Sequence, residues 1–159
     1  MEVTDMSEHT MRARYGSAYP RHVKHGPWHA AWRTVGTQRI YARSRWEANY
    51  ARYLEWLKVH GQILSWEHEP HTFWFEAIHR GTRSYLPDFK VILMNGCCEW
   101  HEVKGWMDPG SRTKLRRMAK YYPHEVIRVI DGDWFKRNQR QMKSLISDWE
   151  SNAARPSVP

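Results

Sequence analysis

The chain has 159 residues, 41% of them hydrophobic and ten of them Trp, which suits one domain of ordinary size with a real core. Its formal net charge of +8 and pI near 9.7 favour a polyanionic partner, of which nucleic acid is the commonest. No run approaches the roughly 20 apolar residues of a membrane span, and no signal-like apolar stretch opens the chain. The two cysteines are neighbours, Cys97 and Cys98, with no Cys-His spacing for zinc, so a reduced, cytoplasmic protein is expected.

Residues 1–43 read as a basic, aromatic-rich extension. After Glu2, Asp5 and Glu8 there is no acidic residue from His9 to Arg43, against Arg12, Arg14, Arg21, Lys24, Arg33, Arg39 and Arg43. Tyr15, Tyr19, Trp28, Trp32 and Tyr41 are interleaved with them. Such a segment either lies along DNA, its cations on phosphates and its rings on bases, or covers the core with its aromatics. His22, His25 and His29 have no fourth ligand beside them and are not assigned to a metal.

A domain is expected over 44–150. Ser44 to His60 reads as a helix: Ser44 caps it with Glu47 completing a capping box, and Trp46, Tyr50, Tyr53, Leu54 and Leu57 recur at helical spacing before Gly61. Gln62 to Phe75 reads as extended chain broken at Pro70. In it Glu67 and Glu69 are expected to flank a site or the first strand rather than bind metal. Ala77 to Ser84 is a basic turn with Arg80 and Arg83. Tyr85 to Leu93 and Cys97 to Val103 form a hairpin through Asn95-Gly96.

Further on, Ser111 caps a helix to about Tyr122 that carries Arg112, Lys114, Arg116, Arg117 and Lys120 without one acid, a surface expected to meet phosphates. Glu125 to Ile130 is an apolar strand returning beside the sheet, and Asp133 caps a last helix through about Trp149. Residues 151–159 read as a mobile tail. The predicted class is α/β: a mixed sheet flanked by helices.

The hairpin carries the chemistry. Glu102 and Lys104 are two apart on a strand and so share a face. Asp88 joins them only in one register. A two-residue turn places it opposite Val103 on the wrong face, whereas a three-residue turn with a bulge, or a longer loop, places it opposite Glu102 or Lys104. The second register is the expected one. Two carboxylates then offer oxygen ligands to a hard cation such as Mg²⁺, and the adjacent lysine can position or deprotonate a water, or stabilise charge on a phosphate.

Pro87-Asp88 followed by Glu102-Val103-Lys104-Gly105 resembles the PD-(D/E)xK signature of the restriction-endonuclease-like nuclease superfamily. With Ser44-x-x-Glu47 upstream, the wording is most similar to phage-type Holliday junction resolvases, over roughly 43–131. The resemblance implies an αβββαβ core and a catalytic set of Glu47, Asp88, Glu102 and Lys104. It also implies Mg²⁺, with Mn²⁺ able to substitute, held by Asp88, Glu102, the Val103 carbonyl and Glu47. The implied reaction is hydrolysis of a phosphodiester in branched DNA, leaving a 5′-phosphate and a 3′-hydroxyl, with a homodimer making paired cuts. Arg43, Arg80, Arg83 and the cations from Arg112 to Lys120 would hold the DNA, and a phage source is implied in turn. Two rivals stand beside this reading: a transposase-like or restriction-like nuclease of duplex DNA, and a DNA-binding module in which the carboxylates are structural.

Overall fold

The computed structural model describes residues 30–150; the expectations for the first 29 residues and for 151–159 fall outside it. A first hairpin, β1 (Ala31–Val35) and β2 (Gln38–Ala42), turns at Gly36, whose φ of +58° suits glycine. Ile40, Tyr41 and Ala42 are buried, so this part of the basic segment belongs to the core.

Helix α1 (Arg45–Val59) starts where the Ser44 hydroxyl accepts the Glu47 N–H at 3.1 Å. The reciprocal half of the capping box is redirected, because the Glu47 carboxylate accepts the N–H of Arg43, at 2.8 Å, rather than that of Ser44. Tyr50 and Leu54 are buried, and Trp46, Tyr53 and Leu57 pack around them. Trp46 stacks on Phe135 at 4.6 Å, and its ring closes over Gly105 and Gly132, where an added Cβ would meet it at 3.6 and 3.2 Å.

The central sheet has the order β3 (Ile63–His68), β6 (Phe89–Leu93), β7 (Cys98–Val103), β8 (Val126–Ile130). The first three strands are antiparallel and β8 is parallel to β7. A short ribbon, β4 (Phe73–Trp74) and β5 (Ser84–Tyr85), lies between β3 and β6 in the chain. The expected single strand from Tyr85 to Leu93 is thus divided at Leu86-Pro87-Asp88, where proline has no N–H to give a ladder. Between β7 and β8 runs α2 (Pro109–Tyr121), and α3 (Gly132–Leu145) follows β8. Stripped of its two ribbons the order is αβββαβ with a closing helix, a restriction-endonuclease-like core. No helix among the described residues is long and apolar enough to cross a membrane.

Strand alternation divides the interior in two. Phe89, Val91, Trp66 and Ile130 pack with α1 and α3 residues, while Trp100 packs with Phe73, Phe75, Tyr85 and Met118 of α2. Strand β7 is polar on both sides. On the α1 side His101 bonds Tyr50 at 2.8 Å and Glu99 at 3.1 Å, and Arg128 of β8 clasps Glu99.

Two caps differ from expectation. Helix α2 is capped by Asp108, which accepts the Ser111 N–H at 2.9 Å and its hydroxyl at 2.6 Å; Pro109, preorganised for the first helical position, moves the start ahead of Ser111. Asp131 caps α3 in place of Asp133, and the helix ends at Leu145, before the buried Trp149.

The β6–β7 turn settles the register. Leu93 and Cys97 bracket a three-residue loop, closed by Leu93 N–H to Cys97 O and Gly96 N–H to Leu93 O, both at 2.9 Å, with Gly96 at φ +83°. Phe89 opposes His101 and Ile92 opposes Cys98, so continuing the ladder sets Asp88 against Glu102. Phe89 is fully buried at the first of these pairs. Truncating it to alanine is expected to cost about 3–5 kcal/mol of stability, measured by urea unfolding, whereas Val126→Ala, at a 46% exposed position, should change stability by under about 1 kcal/mol.

Candidate metal centre

The end of β3, the start of β6, the end of β7 and the start of α1 all meet at one end of the sheet. Antiparallel pairing brings the three strand ends together, and the Ser44 cap delivers Glu47 to the same place. Asp88 precedes β6, and its Oδ2 accepts the Val103 N–H at 2.7 Å. Its carboxylate therefore lies against the last peptide of β7. Glu102 is buried, with one oxygen 2.8 Å from Lys104 Nζ and the other accepting the Tyr85 hydroxyl at 2.9 Å. Glu47, also buried, meets His68 Nε2 at 2.8 Å and the Arg43 guanidinium at 3.6 Å.

Donor atoms of Glu47, His68 and Glu69 lie within 4.8 Å of one another, and this buried cluster can hold a divalent ion. Glu47 is shared with the ligand set expected from the sequence. Glu69, expected only to flank the site, is part of the cluster, and His68 is an addition. What marked them in the chain is a His-Glu pair at a strand end before Pro70. Glu69 has φ +47°, an uncommon conformation for a residue with a side chain, fixed by its N–H bond to the Asp88 carbonyl at 2.8 Å. Two carboxylates and an imidazole form a mixed oxygen and nitrogen set that first-row divalent ions accept.

Arg43 sits among the acids. Its guanidinium pairs with Glu69, lies 3.6 Å from Glu47 and 3.9 Å from Asp88, and is about 29% exposed. Burial pulls its pKa down, but the three carboxylates outweigh this and raise it. Lys104 follows the same pattern: burial disfavours the ammonium, and Glu102, Asp88 and Asp108 together hold it charged. Asp88 goes the other way. Burial first, then the negative charges of Glu102 and Glu47, push its carboxyl well above the usual range; the Val103 N–H and Lys104 only partly oppose them. Burial and Glu102 likewise raise the Tyr85 phenol, which keeps its proton and donates.

Of the other cations expected to contact DNA, Arg80, Arg83, Arg112, Arg116 and Lys120 are exposed and Lys114 and Arg117 half-buried. Arg112, Arg116 and Lys120 recur every four residues on α2. No protein-family model, curated protein or solved structure matches this chain. The described residues form a small α/β fold, a mixed sheet flanked by helices, with a Glu47–His68–Glu69 cluster able to chelate a metal, an arrangement consistent with a metal-dependent nuclease-like fold in general.

Because folding raises the Asp88 pKa above its unfolded value of about 3.9, the penalty is absent below that pH and grows as pH rises toward the folded value. Asp88→Asn, which keeps an acceptor for the Val103 N–H, should melt above the wild type at neutral pH in EDTA. The difference should close as pH falls below about 4. Melting curves across pH check this, and a mutant less stable at pH 7 contradicts it.

Proposed function

We propose that the chain is a metal-dependent DNA endonuclease acting on four-way junctions. The observation that carries the proposal is the β6–β7 register, which sets Asp88 against Glu102 at the end of the sheet where Glu47 arrives. Asp88, Glu102 and Glu47, with His68 and Glu69 beside them, are the residues that would hold Mg²⁺ or Mn²⁺. Such an ion lowers the pKa of bound water and offsets charge on the phosphate under attack.

The protein's own groups divide the remaining work. Lys104, 2.8 Å from Glu102, would orient a water or stabilise the phosphoryl oxygens. Tyr85 fixes the second oxygen of Glu102 and thereby the carboxylate plane. The exposed row Arg112, Arg116 and Lys120, with Arg80 and Arg83, would take the phosphate backbone. A small chain whose cations form such a row suits recognition of DNA shape and backbone. Junction resolution needs two cuts, hence a homodimer, and each cut would leave a 5′-phosphate and a 3′-hydroxyl.

The test is cleavage of a labelled four-way junction and a matching linear duplex, with Mg²⁺ and with EDTA, by wild type and Asp88→Asn. Paired metal-dependent cuts near the branch, lost in the mutant, are expected. Equal cutting of both substrates would keep the nuclease and remove the junction preference. Binding without cleavage in Mg²⁺ or Mn²⁺ would favour a non-catalytic DNA-binding module.

A second outcome concerns the α2 row. Alanine at Arg112, Arg116 and Lys120 together should weaken DNA binding without regard to sequence. It should also reduce the slope of log affinity against log salt by about 2–3. An unchanged slope in fluorescence anisotropy titrations would place the DNA elsewhere.

A further inference from the structure

We propose that Arg43 is a positioning residue that competes with the metal: its guanidinium holds the acidic cluster together without an ion and is displaced when a divalent cation enters. The inference rests on the metal-binding reading of the same site. Its basis is the position of Arg43 between three carboxylates that come from different parts of the chain. Glu69 follows β3, Glu47 opens α1 and Asp88 precedes β6, and the one guanidinium pairs with the first while lying 3.6 and 3.9 Å from the other two.

Electrostatics makes the exchange mutual. Carboxylates packed this closely repel unless a cation lies among them. Two of the three acids that Arg43 neutralises, Glu47 and Glu69, belong to the candidate metal cluster. An ion drawing on those oxygens meets the positive guanidinium at the same acids, and both cannot keep their full set of partners. The backbone of Arg43 need not move with its side chain, because its N–H is tied separately to Glu47 Oε2 at 2.8 Å. The side chain is 29% exposed, so it has a way out. Once displaced, a planar fork of N–H donors stands at the rim of the metal site, suited to a phosphate oxygen of the substrate. Arg43 thus serves in turn as the counter-ion of the metal-free site and as a phosphate contact of the loaded one.

The experiment is Mn²⁺ binding to the full chain without DNA, followed by the electron paramagnetic resonance signal of free Mn²⁺. Wild type should bind saturably, and Glu47→Gln should lose that binding. Arg43→Gln should bind about tenfold more tightly, as expected for removing a unit charge from partly screened carboxylates. Arg43→Lys keeps a charge but cannot span three acids, so its affinity should lie between the two. Wild type that binds no Mn²⁺ would overturn the metal reading itself. Wild type that binds, with folded Arg43→Gln equal or weaker, would overturn the competition alone. If Arg43→Gln does not fold, Arg43→Lys decides: tighter binding than wild type supports the exchange and unchanged binding overturns it.

Discussion

Like charges crowded at one end of a sheet are what the rest of this molecule has to accommodate. Asp88, Glu102, Glu47 and Glu69 come from separate elements and meet where three strand ends and a helix start coincide. A fold selected only for stability would put apolar groups there. Here each acid is matched locally: Glu102 by Lys104 and Tyr85, Glu47 by His68 and Arg43, Glu69 by Arg43, and Asp88 by the Val103 N–H and, at 3.9 Å, by Arg43. The match at Asp88 does not offset its burial beside Glu102 and Glu47, and its carboxyl is pushed well above the usual range.

The surrounding structure is built to hold that arrangement. Phe89 and Trp66 anchor β6 and β3 immediately inside that end of the sheet, and Tyr85 and Trp100 fill the opposite side. The Glu99–Arg128 pair ties β7 to β8 across their parallel junction, adding a side-chain link where the ladder is slanted. Glu47 and Glu102 are thus held within regular elements, whereas Asp88 lies in the bend before β6 and Glu69 follows β3 at positive φ.

Much of this was legible in the chain itself. Helical spacing located α1, and the separation of Asp88 from Glu102 through an Asn-Gly turn led to the face they share. The turn could be narrowed to a register because only one parity brings the charges together. The caps shifted by two or three residues because Asp108 and Ser111, like Asp131 and Asp133, are all competent cap residues, and the choice depends on a neighbouring proline or on how the strand ends. The β1–β2 ribbon was hidden by its charges, since Arg33 and Arg39 obscure the alternation around Gly36. The approach of His68 and Glu69 to Glu47 is a tertiary fact: more than twenty residues separate α1's first turn from the end of β3, and nothing local encodes their distance.

Trp46 carries a consequence of another kind. Its indole immediately precedes Glu47 and is roofed by two glycines, one ending the Glu-Val-Lys-Gly stretch and one beginning the last helix. Three distant positions therefore share one packing volume, and a methyl group at Gly132 would press on the ring at 3.2 Å. A Cβ at Gly105 would rest on the ring at ordinary contact distance, whereas one at Gly132 requires the indole to give by a few tenths of an ångström, and that shift bears on the turn that aims Glu47. In a set of homologues, Trp46 and Gly132 should vary together, although they stand at opposite ends of the domain's sequence.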